Sequence, residues 1–389
     1  MEMEVASELS GKAKDGPVSD ASAGRAKGKS KKARNMTRFM LLVPLAVGLL
    51  TSNLSDTARS GNLRDGVKSQ RSHSILGFDE LSKDREEILR KYAELGIDPA
   101  ISANPKESDV KGFFSCLYNS LPFKRVERID FQHSNGQMLK ARLYKPAGKG
   151  PWPLIVFDGG LRTGIIGDYE LTYIAELLAR TGYVVYGTTS KLEVAHREVH
   201  DYYAGIDHIW KNYDFVKHET IIMGLSAGGA LALEMAGDKN ASKYGVSKVI
   251  VMSTYPDLAQ MYYFAKDYIS RNDPKDHGVK VDIDYIDYAE ELFKFPNTHP
   301  REYAAASPKN YLHNVKVPIL ILHGVGDEVV PIDMGIELYN RAKKEGKDVT
   351  LIMLPGQTVH ADTKEMLTNL PDGIGMIENI IEVWKFLKS

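Results

Sequence analysis

One cysteine, Cys116, is the only thiol in 389 residues, so the chain has no internal disulfide framework. Charge of either sign is not in excess: 50 Lys and Arg stand against 51 Asp and Glu, for a formal net charge of -1. That balance excludes the basic surplus by which nucleic-acid partners are usually recognised. A long apolar run is also missing. The most apolar block, "FMLLVPLAVGLL" from Phe39 to Leu50, is about a dozen residues long, against the roughly 20 that a bilayer-spanning helix needs. What the chain does have is an ordinary globular mixture, 43% hydrophobic and 26% charged, so a sizeable core is expected.

The mixture is not uniform along the chain. Residues 1–38 are rich in Lys, Gly, Ser and Ala, carry the basic run "GKSKKAR" and show no apolar periodicity, which reads as disorder. Residues 39–50 suit the apolar core of a secretory signal or a membrane anchor, with "MTR" at Met36 as a short basic lead. Export is therefore the expectation, and a cytoplasmic location the alternative. Residues 51–124 read as a linker with a helical extension, including an amphipathic helix from about Ser82 to Leu95 stopped by Gly96.

From residue 125 onward the pattern is that of a folded body. "RVERIDFQHSNGQMLKARLYKP" reads as two strands joined by a two-residue turn at Asn135-Gly136. Then "WPLIVF", "YVVYGTT", "TIIMG", "KVIVMS" and "VPILILHG" form short continuous apolar runs, as expected of strands covered on both faces. Helical stretches alternate with them, among them "YELTYIAELLARTG", "HDYYAGIDHIWKNY" and the tail "MIENIIEVWKFL". The alternation predicts a mostly parallel, doubly wound sheet led by an antiparallel hairpin.

The chemistry concentrates at "GLSAG", Gly224 to Gly228, between a predicted strand and a helix rich in Ala and Leu. In that setting G-x-S-x-G forms a sharp turn that lifts the hydroxyl of Ser226 clear of the sheet at a helix N-terminus. A serine hydroxyl needs a base to take its proton, and the base needs an orienting acid. Asp327, in the loop after "VPILILHG", and His360, after "VTLIMLPGQTV", follow in the order Ser, acid, His. Glu328 is the rival acid, and His323 the rival base, but His323 closes a strand and reads as structural.

These motifs, "GLSAGG", "YAAASPKNYLHNVKVPILILHGVGDEVVP" and "LPGQTVH", resemble those of the α/β-hydrolase superfamily, with prolyl-oligopeptidase catalytic domains and dienelactone-hydrolase-type esterases the nearest in kind. The resemblance covers residues 125–389 and implies the α/β-hydrolase fold with a cap insertion at about 254–308. It implies a serine hydrolase that forms an acyl-enzyme on an ester or short peptide, using Ser226, Asp327 and His360. The oxyanion would be held by the backbone N–H of Ala227 and by that of Gly160 or Leu161. At position 158 relatives carry His or Tyr, whereas this chain has Asp158, which when ionised only accepts and so reads as a loop brace.

The cap segment is rich in aromatics, and Tyr262, Tyr263, Phe264 and Tyr268 are either pocket or packing residues. "AHREVH" sets His196 and His200 four apart, with Asp201 and His208 nearby, but no third ligand is evident and no metal is expected. No cofactor is expected either. Carboxylic ester cleavage is the leading reading, with two alternatives: a prolyl-oligopeptidase-type serine peptidase, or a binding protein that keeps the fold without turnover. A base at His360 with an ordinary value of about 6.5 would place the rise of activity in that pH region.

Overall fold

The computed structural model describes residues 107–119, 126–132, 136, 138–160, 169–188, 195–354, 360 and 380–389. The expected disordered region, apolar block and helix at Ser82–Leu95 lie outside the described residues, as does Asn135.

Eight strands form one sheet. In chain order they are β1 (Val126–Gln132), β2 (Met138–Tyr144), β3 (Trp152–Asp158), β4 (Val184–Thr188), β5 (Val216–Leu225), β6 (Val246–Met252), β7 (Ile319–Gly324) and β8 (Val349–Leu354). Their order across the sheet is β1-β2-β4-β3-β5-β6-β7-β8. The β1–β2 and β2–β4 pairs are antiparallel and the rest parallel. The inner strands are apolar without alternation because both faces are covered; β4 and β7 are buried at every residue. The leading hairpin is antiparallel as expected, and the turn expected at Asn135-Gly136 lies mostly outside the described residues. The described register runs to Gln132 opposite Met138, and the Gln132 side-chain amide donates to the Gly136 carbonyl at 3.2 Å.

Helices cover both faces of the sheet. They are α1 (Glu107–Asn119), α2 (Tyr169–Arg180), α3 (Ala195–Asn212), α4 (Ala227–Gly237), α5 (Leu258–Arg271), α6 (His277–Phe293), α7 (Pro300–Ala305) and α8 (Ile332–Lys344), with a further helical stretch at 380–388. Helix α4 is buried from Gly228 to Gly237, which explains why its sequence is Ala and Leu with little polar stripe. Helices α5, α6 and α7 form the expected cap between β6 and β7. Asp257 caps α5 by accepting from the Ala259 and Gln260 N–H groups, and Asp276 caps α6 through Gly278 and Val279. The cap shares an apolar cluster with the body: Leu258, Met261, Tyr285, Ile286, Ala289 and Phe293 meet Ala230, Val329, Val330 and Met334. Burying each such Leu, Ile or Met contributes about 1.5–3 kcal/mol, enough to hold the cap down.

Candidate active site

Strand β5 runs into α4 through the turn at Ser226, whose backbone has φ 57 and ψ -124. Positive φ on a non-glycine residue costs about 1–3 kcal/mol and persists only where neighbours enforce it. Here the Ser226 N–H donates to the Met252 carbonyl at 2.9 Å, and the Ser226 carbonyl accepts from the Thr254 hydroxyl at 2.8 Å. The flanking glycines are required by contact. A Cβ on Gly224 would stand 1.9 Å from the Gly228 carbonyl oxygen, and one on Gly228 would stand 2.4 Å from Asp158 Oδ1. The turn therefore fixes the hydroxyl at the carboxyl end of the sheet, over the N-terminus of α4.

Three side chains far apart in sequence converge there. The Ser226 hydroxyl lies 2.9 Å from His360 Nε2, and His360 Nδ1 lies 2.9 and 3.0 Å from the two carboxylate oxygens of Asp327. Asp327 also accepts from the Val329 and Val330 N–H groups, at 3.1 and 2.9 Å, which fixes its orientation after β7. The Nδ1 proton thus points at the carboxylate, leaving Nε2 to accept the serine proton. Burial alone would lower the His360 pKa. The charge and hydrogen bond of Asp327, with further charge from Asp282 and Glu328, outweigh it and hold the imidazole above 6.5. The expectation of an ordinary value is corrected accordingly. Asp327 shows the converse: burial would raise it, but His360 and the backbone donors hold it low.

The rivals are occupied otherwise. His323 is fully buried and its Nε2–H donates to the Val330 carbonyl at 2.7 Å; burial keeps its pKa low, so it is a neutral structural group. Glu328 is half-buried beside the cap. Among the described residues no group of three metal-ligating side chains occurs, and His200 is exposed while Asp201 beside it is buried.

The two oxyanion expectations have different outcomes. Ala227 opens α4, so its N–H has no partner within the helix and lies beside the nucleophile. The Gly160 N–H instead donates to Asp158 Oδ1 at 2.7 Å, so it is committed within the protein. Leu161 lies outside the described residues. Asp158 Oδ2 accepts from the Tyr202 hydroxyl, so both carboxylate oxygens are used in bracing this loop against α3. Burial raises the Asp158 pKa, and these two donors pull it partly back.

An open cleft borders the turn, lined by Gly160, Ala227, Ala230, Tyr255, Tyr288 and Phe293 among others. Of the four aromatics singled out in the cap sequence, Tyr262 is buried and bonded to Glu290, Tyr263 is 54% exposed, and Phe264 and Tyr268 stack on each other. The cleft aromatics were not singled out from sequence, although the i to i+5 spacing of Tyr288 and Phe293 at the end of one helix was visible. Glu234 also lines the cleft, its pKa pushed up to about 8 by burial and then by Asp238.

Comparison with known proteins agrees with this construction. The BD-FAE family model matches residues 143–342. The Bacillus subtilis (strain 168) protein named as the uncharacterized peptidase YuxL is 24% identical over 251 residues, 59% of this chain and 34% of that one. The acylaminoacyl peptidase of Pyrococcus horikoshii superposes with a TM-score of 0.54 at 18% identity, over 70% of this chain and 43% of its own. An acylaminoacyl peptidase solved with Z-Gly-Gly-Phe-chloromethyl ketone gives a TM-score of 0.55 at 18% identity, over 71% and 43%. The chain thus spans about a third of the length of the curated relative and less than half of these structures. A sheet of this order, a strained serine at the β5–α4 turn and a family match over half the chain lead to one conclusion: this protein belongs to the BD-FAE family, of the α/β-hydrolase type.

Proposed function

We propose that the protein is a serine hydrolase that cleaves a carboxylic ester through an acyl-enzyme. The observation that carries this reading is the continuous relay from Ser226 through His360 to Asp327 at 2.9–3.0 Å. Ser226 Oγ attacks the carbonyl as its proton passes to His360 Nε2. The resulting imidazolium is stabilised by Asp327, which keeps its charge, and returns the proton to the leaving oxygen. Water then enters by the same route, with His360 as base, and releases the acid. The tetrahedral oxygen is held by the Ala227 N–H, with Leu161 as the second candidate donor.

Peptide cleavage is the second reading, favoured by relatives whose names are those of peptidases. Supporting the ester is the commitment of the Gly160 N–H to Asp158. Each fixed oxyanion donor contributes about 10²–10³ in rate, and an ester, with its better leaving group, needs less of that help than an amide. Side-by-side assay of an aryl ester and an anilide of one acyl group decides between them; faster cleavage of the anilide would reverse the choice. Labelling by a fluorophosphonate, abolished in Ser226→Ala, tests the hydrolase reading itself. Folded wild-type protein that does not label would return the chain to a non-catalytic role.

A further inference from the structure

Helix α6 crosses the site with one buried face, formed by Val279, Asp282, Tyr285, Ile286, Ala289 and Phe293. Five of these six suit an apolar interior, Tyr285 through a hydroxyl that donates to the Leu258 carbonyl at 3.3 Å. Asp282 does not. Its side chain is 0% exposed, and among the described residues neither carboxylate oxygen has a hydrogen-bond partner. A buried carboxylate without donors is among the most costly arrangements a fold can contain, and such an orphan calls for an explanation, a catalytic role or an absent cation among them.

The location says what kind of partner. The first turn of α6 rests on the acid loop, with a Cβ on Gly278 falling 2.9 Å from Glu328 Cγ, and Asp282 follows one turn later on the same face. The charge that acts most strongly on Asp282 is that of His360, followed by the carboxylates Asp327, Glu328 and Asp276. The farther end of the same helix supplies Tyr288 and Phe293 to the cleft beside Ser226. Asp282 therefore lies within electrostatic reach of His360 from the cap, among the carboxylates Asp327, Glu328 and Asp276, and Glu234 adds another acid to the wall of the neighbouring cleft. An anionic group is repelled in such a place and a neutral donor satisfies the oxygens without answering the field; a cation with N–H donors satisfies both.

We propose that Asp282 binds a protonated amine of the substrate, so that the enzyme selects acyl groups carrying a free amino group near the scissile carbonyl. The proposal rests on the hydrolase reading above and adds the substrate class to it.

The test uses the full chain and two 2-naphthyl esters, of alanine and of N-acetylalanine, which differ in the charge on the nitrogen. The wild type is expected to show a kcat/KM at least about tenfold higher for the free-amine ester, the effect of one well-placed ion pair. In Asp282→Asn the ratio of the two values falls at least tenfold. Butylamine slows fluorophosphonate labelling of Ser226 in the wild type but not in Asp282→Asn, a readout that needs no turnover. A wild type that prefers the acetylated ester, or a ratio that survives the substitution, overturns the amine site while leaving the hydrolase intact. Absence of labelling in the folded wild type overturns both.

Discussion

At the scale of single residues, the site is decided by which groups hold charge. His360 titrates above 6.5, so it stays protonated, and useless as a base, to a higher pH than an ordinary histidine. The acid limb of kcat/KM for a neutral ester is therefore expected above pH 6.5, and Asp327→Asn should move it downward while lowering kcat by about 10³–10⁴. A limb that stays in place in that variant would remove Asp327 from the role of orienting acid. Asp282 gives the opposite kind of prediction. Burial raises its pKa from 3.8 to about 7, and the neighbouring carboxylates add to this. The native state then binds more protons than the unfolded chain between about pH 4 and pH 7, so this group subtracts stability as pH rises through that window. Asp282→Asn should be more stable than the wild type at pH 8 by about 1–3 kcal/mol and near parity at pH 4, read by thermal melting at both values. Equal melting at pH 8 would mean the carboxylate is satisfied in solution. The sequence displayed Asp282 as one acid among many in the cap; its lack of partners depends on which neighbours the fold supplies.

At the scale of elements, the β5–α4 turn and helix α6 carry the function. The turn was legible because glycine, serine and glycine at fixed spacing are demanded locally by its backbone. Gly228→Ala tests this: the new Cβ lies 2.4 Å from Asp158 Oδ1 and 2.6 Å from its carbonyl oxygen, so turn or loop must shift. Such overpacking costs about 1–3 kcal/mol, and fluorophosphonate labelling should slow by more than the lost stability explains. Unchanged labelling would show that the turn tolerates the shift. The cap was legible as an insertion, but not its inner face, because its aromatics are divided among cleft, core and surface only when α5 and α6 pack on each other. Phe293→Ala should widen the cleft and shift ester preference toward bulkier acyl groups, at a cost of about 3–5 kcal/mol in stability. A preference series that does not move would place the acyl group elsewhere.

At the scale of the whole molecule, the two ends of the described fold lean on each other. Phe113 of α1 meets Trp384 of the terminal helix edge to face, with ring centroids 5.8 Å apart, and both side chains are buried. Trp384→Ala is expected to destabilise the protein by about 3–5 kcal/mol, measured by chemical denaturation. A loss below about 1 kcal/mol would mean that this contact is peripheral to the fold. Sequence alone determined the strand and helix alternation, the chain order of Ser226, Asp327 and His360, and the sharp turn at the serine, because these follow from periodicity and backbone chemistry within a few residues. Tertiary structure alone decided that the Gly160 N–H belongs to Asp158, and that Asp282 is buried within electrostatic reach of His360 with no donor among the described residues. Those outcomes depend on groups brought together from distant parts of the chain, and on the water that their meeting excludes.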